Sequence, residues 1–237
     1  MENSLIRSIL GENNINISDD AKEKLCRLAE LLVEFNSHTN LTAIKTDEGI
    51  ALDHFADSLL GLDMIPEGAR LIDVGAGGGF PSLPLAIARP DISVVSLDST
   101  AKKLKFIDLA ASELGLTNIS TVAARAEDVA KDKNMREKFD VATARAVSRL
   151  NILSELCLPF ISLGGKFLSY KGREGATEYD EAAKGIAVLG GKLTEMREFD
   201  LKCGELSRQR FIISIEKSRK TPDAYPRAYN KILKKPL

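Results

Sequence analysis

Gly75, Gly77 and Gly79 alternate within LIDVGAGGGFPSLPLAIARP, residues 71–90, between an apolar run and the expected start of a helix near Pro81. Glycines at such a junction let a ligand come close to the backbone, and the first turn of the helix aims unsatisfied N–H groups at it. Two kinds of cofactor use this layout. A dinucleotide loop, G-x-G-x-x-G, needs a third small residue at position 80, and this chain has Phe80 there. The ring would obstruct a pyrophosphate. A methionine moiety carries none, so the pattern favours S-adenosylmethionine over NAD. A glycine-rich structural turn is the competing explanation.

Two more groups stand where a nucleoside would need them. SVVSLD ends in Asp98, 23 residues after Gly75, the place for a carboxylate that accepts both ribose hydroxyls. The ribose is common to both cofactors, and a helix-capping aspartate before STAKK is the alternative reading. ISTVAARAED then puts Ala126 and Glu127 just beyond a third strand, where a backbone amide and a carboxylate can reach an adenine edge. The same pair would also suit an ordinary helix start.

The elements that must carry these residues follow from periodicity. Residues 1–62 read as helical: Ser18 can cap a helix with Asp19 and Asp20 in its first turn, and Leu25, Leu28, Ala29, Leu32 and Phe35 recur at three-and-four spacing. FNSHTNLTAI breaks that helix, and another follows around GIALDHFADSLLGL. From residue 70 the texture becomes strand alternating with helix, including a charged helix after ISTVAA, which predicts right-handed βαβ units and a parallel sheet covered on both faces. KLTEMREFDL and RQRFIISIEK, joined by KCGELS, read as a terminal antiparallel pair.

Composition narrows the class. The chain has 237 residues, 44% hydrophobic and 28% charged, enough to bury a sizeable core. Its apolar runs are far shorter than the ~18 residues of a membrane span, and MENSLIRSIL lacks the pattern of a signal peptide, so a cytoplasmic protein with no membrane attachment is expected. Cys26, Cys157 and Cys203 form no C-x-x-C pair, and His38 and His54 are the only histidines, so neither a disulfide framework nor a metal site is expected. The net charge of −1 hides an asymmetry: residues 202–237 hold ten Lys or Arg against Glu205, Glu216 and Asp223, leaving 23 basic and 31 acidic residues elsewhere. Such an end suits a phosphate-rich partner; a solvated tail is the plainer alternative.

In order along the chain, FNSHTNLTAI, HFADSLLGL, DVGAGGGFPSLPLAIARP, LDSTAKKLKF, RAED, FDVATARAVSRL, SYKG, RQRFIISIEK and YPR resemble the RsmG (GidB) family, the bacterial 16S rRNA guanine-N7 methyltransferases. The resemblance implies a class I S-adenosylmethionine-dependent methyltransferase fold, Rossmann-like. It would comprise a mostly parallel seven-stranded sheet with a terminal antiparallel strand, a helical N-terminal extension (1–62), and a methyltransferase domain with a basic tail (63–237). It also implies methylation of guanine 527, with 16S rRNA or the small-subunit particle as partner and a monomer as the working form. Carried over by position, Gly75, Phe80, Asp98, Ala126 with Glu127, and Arg145 would contact the cofactor. Absent motifs agree. A carbon-5 pyrimidine methyltransferase needs a thiolate, whereas Cys157 lies in an apolar helical stretch; the Asn or Asp with two prolines and an aromatic, usual after the fourth strand of exocyclic adenine methyltransferases, is replaced by ATARAV. Guanine N7 offers a lone pair and no proton, so alignment suffices and no general base is expected.

The acceptor side is less marked. Arg145, at the end of FDVATA, reads as a binding or positioning residue, or as a bridge from the sheet end to a helix carboxylate. Lys171 after KFLSY lies at another strand end, a further positioning candidate, and Arg208 and Arg210 open the last strand; all three can serve RNA phosphates. His54, Asn40 and Thr42 can cover the cofactor mouth, or simply pack and cap. With 5% aromatic residues and no Trp, recognition by shape and phosphate is expected more than by stacking. Another RNA or a small molecule as methyl acceptor, and an NAD-dependent oxidoreductase, are the competing functions; Phe80 disfavours the last and the basic end disfavours a small molecule.

Overall fold

The computed structural model describes residues 1–237, the side chain of Ala176 excepted. Helix α1 (Asn3–Glu12) leads into α2 (Asp19–Thr39), whose start is fixed as the sequence predicts: Ser18 Oγ accepts from the Ala21 N–H at 3.2 Å, with Asp19 and Asp20 against the helix dipole. The helix continues through FNSHT, expected to break it, and stops at Asn40, which takes the left-handed conformation (φ 51°) suited to a helix end. The next helical stretch is continuous but uneven: α3 (Asp47–Gly49), a π-helical segment (Ile50–Ala56) and α4 (Asp57–Leu59). Wide π turns of this kind often occur at functional sites, and this one carries Asp53 and His54.

The remaining chain alternates as expected. Strands β1 (Arg70–Val74), β2 (Ser93–Asp98), β3 (Ile119–Ala123), β4 (Phe139–Arg145) and β5 (Ile161–Lys171) run parallel, with α5 (Ser82–Ala88), α6 (Ala101–Glu113), α7 (Ala126–Val129) and α8 (Leu150–Cys157) between them. After α9 (Gly175–Val188), β6 (Gly191–Cys203) and β7 (Leu206–Lys217) form the expected antiparallel pair, and α10 (Tyr229–Lys234) follows. The seven strands lie in the order β3-β2-β1-β4-β5-β7-β6. The last strand in sequence is therefore inserted between β5 and β6, antiparallel to both. Its first residues, Arg208 and Arg210, thus arrive at the same sheet edge where the parallel strands end.

The charged helix expected after β3 is only one turn, Ala126–Val129. Beyond it the Asp132 carboxylate accepts from the Asn134 N–H at 2.8 Å, and Glu137 has a φ of 54°. Local side-chain bonds of this type compete with helix formation, and turns take over.

Alternation along the strands divides the core. Leu71, Val141, Leu168 and Ile212 face a layer of α1, α2, the π segment, α5 and α6; Ile72, Ala142, Phe167 and Ile213 face α8, α9 and α10. The N-terminal helices thus complete one face of the sheet, and the segment that carries Asp53, His54 and Asp57 is packed against the strand ends. Among the described residues no helix is long and apolar enough to cross a membrane.

Candidate active site

In an open α/β sheet, ligands bind at the carboxyl ends of the strands near the point where strand order reverses, here between β1 and β4. Two adjoining cavities open there. The first, about 290 Å³, is lined by Val74 and Gly75 at the end of β1, Leu97 to Thr100 at the end of β2, Ala124 to Glu127 after β3, and Ala146 and Val147 after β4. The structure therefore brings together Gly75, Asp98, Ala126 and Glu127. Their chemistry is unspent. Each Asp98 oxygen accepts one backbone bond, Oδ2 from the Gly77 N–H at 2.9 Å and Oδ1 from the Thr100 N–H at 2.7 Å, so each keeps a lone pair for a ligand. Glu127 is only 8% exposed and has no hydrogen bond or ion pair to any described residue. Glu127 lines the open cavity, so its carboxylate is available to accept from a ligand.

The glycines divide the work. At Gly75 (φ +78°) an added Cβ would lie 2.6 Å from the Val147 side chain, so the loop after β4 closes tightly over the loop after β1. Gly77 supplies the N–H that holds Asp98. Gly79 is away from the cavity: with φ +89° it packs under Leu83 of α5 and Ile107 of α6, and its small size serves the core.

Two residues expected at the cofactor, Phe80 and Arg145, do not line this first cavity. Phe80 is buried, its ring stacked on His54 with centroids 4.2 Å apart and planes inclined by 16°. It directly follows the glycine loop, and its ring packs against His54 of the helical N-terminal segment. Arg145 points into the second cavity, about 820 Å³, which shares Ala146 with the first and is lined by Asp53, His54, Asp57, Tyr170, Lys171, Glu178, Arg208 and Arg210, among others.

The second cavity is a lattice of ion pairs. Arg145 donates from Nη1 to Asp57 at 2.6 Å and to the Asp53 carbonyl at 2.5 Å, from Nε to the Phe80 carbonyl at 3.3 Å, and from Nη2 to His54 Nδ1 at 3.3 Å. Four of its five N–H groups are engaged. Arg210 reaches Asp57 at 3.0 Å and Asp53 at 3.4 Å, and Arg208 is paired with both oxygens of Asp53. Lys171, nearly buried, bonds the Ser148 carbonyl at 2.7 Å and Glu178 at 2.8 Å. The cations read from sequence as phosphate partners are thus already partnered by carboxylates, and the bridge from Arg145 to a helix carboxylate is present. Asp53 and Asp57 carried no signal in the sequence, since they meet their arginines across 88 to 157 residues of chain.

His54 is the hinge of this lattice. Burial, with the Arg145 guanidinium beside it, lowers its imidazole to about 3, so the ring is neutral. Nδ1 then accepts from Arg145 and Nε2–H donates to Thr42 Oγ1 at 3.0 Å. Thr42 is in turn held by Asn36, whose amide bonds both its N–H and its carbonyl at 2.9 Å. Thr42 and His54 therefore fix Arg145 from below; Asn40 ends α2 and lines neither cavity. Deeper in the sheet, burial pushes Asp73 up to about 6 against the pull of Thr143 and Ser82, and Cys157 is fully buried with its thiol raised by burial, as inert as its sequence context indicated.

Comparison with known proteins follows the same lines. The profile of the GidB family, described as rRNA small subunit methyltransferase G, matches residues 21–209. A ribosomal RNA small subunit methyltransferase G from Desulfitobacterium hafniense is 45% identical over 224 residues, 94% of this chain and 92% of that protein. One of the same description from Lactobacillus acidophilus is 41% identical over 232 residues, 96% of each. Among solved structures, the O-methyltransferase from Bacillus cereus in complex with SAH superposes with a TM-score of 0.57 at 19% identity, covering 81% of this chain and 91% of that one. TYW2 from M. jannaschii, in complex with AdoMet, gives 0.55 at 14%, covering 74% and 79%. At such identities the likeness concerns the fold.

Proposed function

The chain belongs to the GidB family, rRNA small subunit methyltransferase G, and from that premise we propose that it transfers the methyl group of S-adenosylmethionine to N7 of guanine 527 in 16S rRNA. The observation that carries the reading is the adjacency of two chemically opposite cavities that meet at Ala146, at the end of β4.

The first cavity fits the cofactor. Asp98 retains acceptor capacity for two hydroxyls, Glu127 has no protein partner, and the Gly75 loop leaves no side chain between β1 and a ligand. Bound there, S-adenosylmethionine supplies a methyl group on a positively charged sulfur. Gly77 acts through Asp98, and Gly79 through the packing of α5.

The second cavity would hold the guanine. Its lining cations Arg145, Lys171, Arg208 and Arg210 outnumber Asp53, Asp57 and Glu178 by one, which suits a phosphate-bearing acceptor. The remaining N–H of Arg145 can bond guanine O6, leaving N7 free to attack. Attack by N7 releases no proton, so His54 serves by staying neutral and holding Arg145. Positioning, rather than proton transfer, is what these residues contribute. The substrate is rRNA in the cytoplasm, free or in the small-subunit particle.

The test is methyl transfer to small-subunit rRNA from cells that lack the protein, followed by reduction and aniline cleavage, which cuts RNA at N7-methylguanine. Cleavage at position 527 alone is expected. Methylation without such a cut, or a cut elsewhere, overturns the assignment.

A further inference from the structure

The end of the chain returns to the first cavity. Tyr229, the first residue of α10, lines it together with Leu97, Asp98, Ala126 and Glu127. The sequence offered no reason to expect this, since the last twenty residues follow the final strand and are marked only by their charge and by the YPR motif.

Tyr229 is held in place from two sides. Just before it, Arg227 fastens the segment to Glu155 of α8, a carboxylate with 0% exposure: the Arg227 main-chain N–H, Nε and Nη2 donate at 2.8, 2.9 and 2.6 Å. Such a charge-assisted, multiply bonded pair fixes geometry. Further back, the Arg136 guanidinium gathers the carbonyls of Thr221 at 2.8 Å and Tyr225 at 2.9 Å. On the other side Ile232 is fully buried in the core. The ring itself remains half-buried, and the Arg125 guanidinium lies 5.6 Å from its centroid. Arg125 directly precedes Ala126 and Glu127, the groups placed for an adenine edge.

An aromatic ring presented to a cavity beside unpartnered polar groups offers a stacking face for a base. We propose that Tyr229 is a cofactor-binding residue, supplying the aromatic face against which the adenine of S-adenosylmethionine lies, and that the C-terminal segment is thereby part of the cofactor site. This rests on the reading of the first cavity as the S-adenosylmethionine site. Ala126 and Glu127 read the edge of the base, Asp98 the ribose, and Tyr229 its face.

The experiment is calorimetric titration of the full-length protein with S-adenosylhomocysteine and, separately, adenosine, for wild type and for Tyr229→Phe, Tyr229→Leu and Tyr229→Ala. Circular dichroism and unliganded melting confirm the fold of each. Wild type and Tyr229→Phe should bind both ligands within twofold of one another. Tyr229→Ala should weaken both by roughly five- to a hundredfold, the range of a lost base–aromatic stack, and Tyr229→Leu should also weaken both, since it keeps bulk but not the ring. If Tyr229→Ala or Tyr229→Leu binds as wild type does, the ring is packing against Arg125 only and the proposal falls. If the wild type itself binds neither ligand, the reading of the cavity falls and the proposal falls with it.

Discussion

The two cavities sit side by side at one sheet edge and are built on opposite plans. The first is made of consecutive strand-to-helix loops, and its carboxylates are underused: Asp98 keeps two lone pairs and Glu127 has no partner. In the second, three segments far apart in sequence meet and pair with one another, so that Asp53 and Asp57 already hold Arg145, Arg208 and Arg210. One site waits for a ligand with donors. The other is cross-linked by ion pairs before anything binds, and on the proposed reading a base entering it would meet guanidinium groups already held in place, which lowers the ordering cost of recognition.

The sharpest way to break this contrast is Arg145→Ala. Arg145 and Asp57 are both mostly buried, with side-chain exposures of 14% and 10%, and removing one partner of such a pair typically costs 3–5 kcal/mol. Arg210 still covers part of Asp57, so a stability loss of about 3 kcal/mol is expected. Methyl transfer should nearly vanish while S-adenosylhomocysteine affinity stays within a few-fold of wild type. Arg145→Lys, which keeps the charge without the fork, should retain the fold and recover only part of the rate. Equal loss of cofactor binding in both variants would merge the two sites into one.

The reverse experiment is next in size. Asp98→Asn should weaken S-adenosylhomocysteine by about 1.5–3 kcal/mol, the range for hydrogen bonds to a charged group, as read by calorimetry. A lower melting temperature with unchanged affinity would make Asp98 a clasp for Gly77 and Thr100 only.

This difference in plan also explains what could be read from the sequence. The first cavity is built from local signals: Gly75, Asp98, Ala126 and Glu127 each lie at or just beyond the end of a strand, so the pattern of apolar strand plus glycine or carboxylate announces them. Ser18 likewise marks the start of α2 from within one turn. The second cavity has no local signature, because Asp53 and Asp57 sit four residues apart on a helix like many solvated aspartates, and only the insertion of β7 beside β5 brings Arg208 and Arg210 to them. The direction of the Phe80 ring is unreadable for the same reason. Its neighbour His54 comes from the N-terminal helices, and a loop-centred reading could see only the glycines. Tyr229 was missed because its position depends on Arg227 finding Glu155 across 72 residues.

His54 gives the contrast a pH dependence. Its imidazole is held near 3 in the fold against an ordinary value of about 6.5. A base with a depressed folded value contributes stability above its unfolded value and loses it as pH falls toward the folded one. Relative to His54→Phe, which keeps a ring on Phe80 and cannot titrate, the wild type should lose about 2 kcal/mol between pH 7 and pH 5, measured by urea unfolding at each pH. Asp73 acts oppositely: raised to about 6, it favours the fold more as pH falls through 6. It is present in both proteins, so the difference between them removes it. Parallel curves would mean that His54 takes up its proton equally in the folded and unfolded states, so that its ring is not kept neutral beside Arg145.

The smallest effect distinguishes the two arginines of β7. Arg208 uses only Nη1 on Asp53, leaving Nε and Nη2 without a described partner, and its side chain is 39% exposed; Arg210 is 22% exposed and bridges Asp53 and Asp57. A guanidinium so disposed can keep its carboxylate and still take a phosphate, since its fork has two faces. Arg208→Gln should therefore weaken rRNA binding several-fold at physiological salt and make the log–log salt dependence shallower by about 0.7, the single-strand value for one phosphate. Arg210→Gln should instead lower the melting temperature and leave the salt slope unchanged, because its charge is already committed to the two aspartates. Titration of both variants with small-subunit rRNA over a range of salt decides the matter. Should the slopes of Arg208→Gln and wild type coincide, Asp53 consumes the whole charge of Arg208, and the phosphate contacts of this edge belong to other residues.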